Sequence, residues 1–105
     1  MPRTTKKTPS KTKTVRYDVA EQLRTPEDMA AYLDAWLAEA PEDVAGIARA
    51  LGDIARARGM AQVARDAGLS RESLYKALSR NGNPSLATIL KVTKALGMRL
   101  HAAAA

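Results

Sequence analysis

The sequence predicts an all-α protein: a small bundle of about five short helices containing a helix-turn-helix, with at most one short C-terminal strand. Three observations carry this expectation. Apolar residues recur at i, i+3, i+4 and i+7 through most of residues 25–96. From residue 59 onward the helical stretches are brief and separated by Gly, Ser, Asn and Pro. The chain has 105 residues, no Phe and four aromatics (Tyr17, Tyr32, Trp36 and Tyr75), which allows one domain with an aliphatic core.

The elements follow in order. Residues 1–14, MPRTTKKTPSKTKT, hold no apolar residue after Met1 and cannot offset ordering entropy, so a disordered basic tail is expected. Residues 15–24 suit either an extended stretch or a single helical turn. The first helix starts after Thr25. Thr is a good N-cap, Pro26 suits the first helical position, and Glu27 and Asp28 complement the dipole. Its stripe is Met29, Tyr32, Leu33, Trp36 and Leu37, which makes Trp36 a core residue before it is an interface anchor. A second helix is expected from Pro41 to Arg58, with the stripe Val44, Ile47, Ala48, Leu51, Ile54 and Ala55. Gly46 and Gly52 inside it suggest close packing against a neighbour, and Gly59 is placed for a left-handed C-terminal cap. Residues 61–67 and 71–79 form two short helices around Gly68, Leu69 and the N-cap Ser70. After the loop Asn81-Gly82-Asn83-Pro84, Ser85 caps a last helix with the stripe Leu86, Ile89, Leu90, Thr93 and Leu96, ended by Gly97. Met98, Arg99 and Leu100 alternate as one short strand would, and Ala102–Ala105 should fray. The resulting divisions are 1–14, a basic tail; 15–40, an N-terminal segment with an acidic helix; 41–100, the helix-turn-helix domain; and 101–105, a frayed end.

Charge is unevenly distributed. Residues 1–16 carry +6, residues 17–55 carry −7 and residues 56–105 carry +7, for a net +6. The basic half suits a polyanion, because neutralising phosphates drives nucleic-acid binding. The acidic half suits a basic protein. Ordinary solvated charge is the plainer alternative for both.

Several classes of function are excluded or made remote. With no Cys there is no disulfide, thiol nucleophile or Cys-based zinc site. The single His, His101, sits beside four alanines and gives no basis for a catalytic triad or a metal centre. No enzyme activity, metal or cofactor is expected. No run reaches the ~18 apolar residues of a membrane span, and the charged N-terminus lacks an apolar signal core, so a cytoplasmic protein is expected.

Residues 60–79 carry the functional signal. Two short helices joined through Gly68 have the layout of a helix-turn-helix. Gly68 supplies the positive φ of the turn, Leu69 fills the angle between the helices, and small Ala64 permits a close crossing. Leu74 and Leu78 point inward towards Val63. The outer face of the second helix keeps Arg71, Glu72, Ser73, Tyr75, Lys76 and Ser79. The first residues of a recognition helix reach base edges in the major groove. Arg71 can donate two hydrogen bonds to guanine, Glu72 can accept from cytosine, and Lys76 and Ser73 can contact bases or phosphates. The candidate DNA-contacting set is Ser70, Arg71, Glu72, Ser73, Tyr75, Lys76 and Arg80. The basic tail suits the DNA backbone or a minor groove, with an inert tail in solvent as the plainer reading.

Residues 59–82 followed by NPSLATILKVTKALG resemble the XRE-type, lambda repressor/Cro-like helix-turn-helix domain. More narrowly, GDIARARGMAQVARDAGLSRESLYKALSRNGNPSLATILKVTKALGMRL and the upstream YDVAEQLRTPEDMAAYLDAWLAEA resemble the addiction-module antidote subfamily. The resemblance covers about residues 15–100, with LYKALS and the NPS loop as its most specific parts. It implies a lambda repressor-like fold and an antitoxin that represses its own operon on double-stranded operator DNA. It also implies a RelE/ParE-like toxin as protein partner. Ala61 departs from the pattern, standing where the family tends to have a Ser cap. A homodimer is expected on the operator. The acids Asp34, Glu39, Glu42 and Asp43 on the early helices are the candidate toxin contacts. The alternative is a prophage-type repressor of the same fold with no toxin partner.

Overall fold

The computed structural model describes residues 19–79 and 81–104, without the side chain of Ala20. The basic tail, Tyr17, Arg80 and Ala105 lie outside the described residues. Among the described residues a 3-10 turn, Val19–Gln22, precedes five α-helices: α1 (Pro26–Glu39), α2 (Val44–Arg58), α3 (Met60–Ala67), α4 (Arg71–Ala77) and α5 (Leu86–Ala95). The all-α expectation holds. The turn at 19–22 resolves the two readings of residues 15–24 for the part that is described.

Most helix starts follow from local hydrogen-bonding chemistry. Thr25 Oγ1 accepts from Asp28 N–H at 3.1 Å, and Asp28 Oδ2 accepts from Thr25 N–H at 3.3 Å, a reciprocal capping box with Pro26 at the first helical position. Ser85 Oγ accepts from Thr88 N–H at 3.1 Å and starts α5. The second helix differs from expectation. Residues 41 and 42 are a turn, and α2 starts at Val44, because Asp43 Oδ1 accepts from Gly46 N–H at 2.9 Å. The donors at the helix start thus find a side-chain acceptor that Pro41 could not supply.

One core joins the 3-10 turn and all five helices. It contains Leu23, Met29, Leu33, Leu51, Ile54, Met60, Val63, Leu74, Leu78, Val92 and Leu96. Helix α1 packs on α2, α2 on α3, and α3 on both α4 and α5. Gly46 and Gly52 are sites of close packing against neighbours, as expected. A Cβ at Gly46 would meet Trp36 Cζ3 at 2.5 Å as well as the Asp43 carboxylate, and one at Gly52 would meet the Leu78 carbonyl at 3.1 Å. Trp36 is half-buried against this spot, with the Arg49 guanidinium 5.9 Å from its ring centre. Tyr32 ties α1 to α2 by donating to Asp53 Oδ2 at 2.8 Å. Burial, then the Asp53 carboxylate, push the Tyr32 phenol up to about 12.

Four further expectations need correction. The expected helix 71–79 ends at Ala77, where Leu78 N–H and Ser79 N–H fold back onto Leu74 and Lys76 carbonyls. Residues 98–100 form no strand; among the described residues there is no other extended segment to pair with them. In α5 the buried row is Val92, Thr93 and Leu96, while Leu86 and Leu90 face solvent; Val44 of α2 and Leu37 of α1 are exposed too. Gly59 has positive φ but ψ 108°, outside the left-handed helical region, because it ends α2 and starts α3 in one residue.

Candidate nucleic-acid interface

The site is built on the α3–turn–α4 unit. Helix α3 starts one residue earlier than expected, with Gly59 and not Ala61 at the cap position; it has no side-chain cap, and Met60 at its start is buried. Its end is sharply defined. Gly68 adopts φ 71°, ψ 32°, and Leu69 N–H donates to the Ala64 carbonyl at 2.8 Å. This 6→1 bond satisfies a helix-end carbonyl and turns the chain, a conformation strained for any residue with a Cβ. Leu69 then packs against the core.

Ser70 restarts the helix. Its Oγ accepts from Ser73 N–H at 3.0 Å and donates to Ser73 Oγ at 2.9 Å. Leu74 is fully buried and Leu78 nearly so, facing Val63 and Ala64 of α3 within one cluster. This settles the rotation of α4. Arg71, Glu72, Ser73, Tyr75 and Lys76 are all exposed on it. At helical spacing Glu72 and Lys76 occupy the middle of the exposed arc, flanked on one side by Arg71 and Tyr75. The Arg71 guanidinium lies 5.8 Å from the Tyr75 ring centre. Tyr75 is exposed and lies within cation–π range of Arg71.

Six of the seven sequence-selected DNA-contact residues thus gather on one seven-residue helix and its cap, and the seventh, Arg80, lies outside the described residues. Chemically the face offers a planar bidentate donor, a point cation, a carboxylate acceptor and hydroxyls. No group of acids and histidines that could hold a metal occurs among the described residues.

The four candidate toxin-contact acids separate. Asp34 and Glu39 are exposed on α1 and Glu42 on the α1–α2 turn. Asp43 spends its carboxylate capping α2, a structural role that its place just before an apolar stripe could have signalled. Beside Glu39, Tyr32, Ala35 and Trp36 line an open cleft on α1 that sequence reading did not single out. No helix among the described residues is long and apolar enough to cross a membrane.

The family described as "probable addiction module antidote protein" matches residues 13–104, nearly the whole chain. An uncharacterised protein of Haemophilus influenzae is 55% identical over 85 residues, covering 81% of this chain and 86% of the relative. No solved structure matches. With its compact all-helical fold and this match from residue 13 to residue 104, the chain belongs to the addiction module antidote family.

Proposed function

We propose that the protein is an antitoxin that reads operator DNA of its own operon through α4, represses that operon as a homodimer, and neutralises a RelE/ParE-like toxin. It acts in the cytoplasm by binding alone, with no covalent chemistry. The observation that carries the DNA reading is the seven-residue α4, capped by Ser70 and held from inside by Leu74, with its exposed arc given over to Arg71, Glu72, Ser73, Tyr75 and Lys76. This is what a recognition helix in a helix-turn-helix of XRE type requires. The antidote family supports a toxin partner over a stand-alone repressor.

The test is a titration of duplex DNA from upstream of the gene. Arg71→Ala should cost about 1–3 kcal/mol on the preferred site and relax base preference locally. Lys76→Ala should weaken binding to all sequences and lower the salt slope by about 1. Unchanged footprints in the double variant would remove α4 as the reader. Both side chains are exposed, so melting should not move.

The toxin contact is read separately, with the protein encoded beside this gene. Glu39 and Glu42 stand on a corner where α1 ends without a basic residue in its last turn, so its negative helix end is uncompensated. Replacing both with Lys should slow association at low salt and reduce its salt dependence. Association that is untouched at low salt would leave these acids as ordinary solubilising charge.

A further inference from the structure

The last carbonyls of a helix are unpaired acceptors at its negative end, and a cation beside them steadies that end. Helix α4 has only seven residues, so its last turn already carries two of the candidate readers, Tyr75 and Lys76. A small tilt of this end moves side chains that would face the duplex. The end is closely packed. The carbonyl of Leu78, the C-cap of α4, faces Gly52 of α2, where a Cβ would meet it at 3.1 Å. Gly82 of the following loop lies against the Ala77 carbonyl with no room for a side chain.

A cation stands at the same place. The Cβ that would meet Leu78 from Gly52 would also meet Arg56 Nη1 at 3.4 Å and Nη2 at 3.6 Å. The guanidinium and the end of α4 thus border one spot on α2. Within the last turn of α4 the base is Lys76, which is exposed and given over to DNA in the reading above. Arg56 is stationed by a chain of side chains that begins on α1. Tyr32 Oη donates to Asp53 Oδ2 at 2.8 Å, and Arg56 Nη2 donates to Asp53 Oδ1 at 2.7 Å. Each carboxylate oxygen therefore has its own donor, one from each helix. An exposed ion pair three residues apart is loosely held when alone. Here the carboxylate is fixed from its second side by the half-buried Tyr32.

We propose that Arg56 is a positioning residue for DNA reading: held by Asp53 and, through it, by Tyr32, it fixes the C-terminal end of α4 and hence the angle at which Tyr75 and Lys76 meet the duplex. The proposal rests on α4 as the reader and adds a support that itself touches no DNA.

The test is titration of the full chain with the duplex from upstream of the gene and with a duplex of unrelated sequence, over a series of salt concentrations. Arg56→Gln should lower the ratio of specific to non-specific affinity by about two- to fivefold, and Arg56→Lys, which keeps a cation, should retain most of it. The salt slope should not change, because no phosphate contact is lost. Tyr32→Phe should lower the ratio by a smaller factor. The double variant Tyr32→Phe/Arg56→Gln should be no worse than Arg56→Gln, because Tyr32 acts only through the same chain. Helical circular dichroism and melting should stay near wild type for the Arg56 variants, since that side chain is 52% exposed. An unchanged ratio in Arg56→Gln, equal losses on both duplexes, or additive losses in the double variant would each overturn the proposal. So would a slope lower by about 0.9, the mark of a direct phosphate contact. Arg71→Ala, measured alongside, separates the two readings. If it lowers the ratio and Arg56→Gln does not, positioning alone falls; if neither lowers it, α4 is not the reader and positioning falls with it.

Discussion

Leu74→Ala should lower stability by about 2–5 kcal/mol, a large share of the ~5–15 kcal/mol of an ordinary domain. Leu74 is fully buried and sits in the cluster with Val63, Ala64, Leu78 and Val92. Truncation removes its transfer energy and leaves a cavity between α3 and α4. A helix of seven residues is far below the ~12–15 that is marginal alone in water, so α4 is held by this packing and by the Ser70 cap. The melting temperature should drop by roughly 8–40 °C, at ~4–8 °C per kcal/mol for a domain of this size. DNA binding of the fraction still folded should keep its base preference. A melting temperature within a degree or two of wild type would show that α4 is rotated and that Leu74 is not its inward anchor.

Deletion of residues 2–14 should change the salt dependence of operator binding by more than any single substitution. The segment carries five positive charges and no acid. Each phosphate contact contributes about 0.9 to the slope of log affinity against log salt, so losing two contacts per protomer of a dimer flattens it by roughly 3 to 4. Base preference should barely move, because backbone contacts position and base contacts specify. Melting should be unaffected, since the deleted residues have nothing apolar to bury. An unchanged slope would assign all phosphate contacts to residues 56–105 and make Arg65 and Lys76 the next positions to change.

Much of this fold is legible in the sequence because its punctuation is local. Thr25 with Asp28, Ser70 with Ser73, and Ser85 with Thr88 each close a cap within three residues, and Gly68 takes the backbone conformation its position implies. The inward register of α4 was legible for a related reason: Leu74 and Leu78 are its only large aliphatics. What was not legible depends on tertiary choice. Pro41 and Asp43 both qualify as helix openers, and the Asp43 carboxylate, which accepts from Gly46 N–H, settles the competition. In α5, Leu86, Leu90 and Val92 are all apolar, and periodicity alone cannot say which row faces the core. The stripe reading therefore placed two exposed leucines, Leu86 and Leu90, inside. Among the described residues the alternation at 98–100 has no neighbouring strand, and alternation without a partner makes no sheet. The acids of the first half were legible as charge but not as separate sites, because Asp43 caps a helix and Glu39 borders a cleft on α1.

The segregation of charge along the helices has a kinetic consequence. Acids crowd α1 and the α1–α2 corner, while everything after Glu72 is free of them. A molecule so built has halves of opposite net charge, −7 over residues 17–55 and +7 over residues 56–105. In the field of a polyanion it experiences a torque before any atom touches, turning its acid-free end inward and its acidic end towards solvent. Collisions then begin in an orientation near that of the bound state, and fewer are wasted. The arrangement acts on the rate of arrival more than on the lifetime of the complex, and its influence reaches only about a Debye length, ~8 Å at physiological salt.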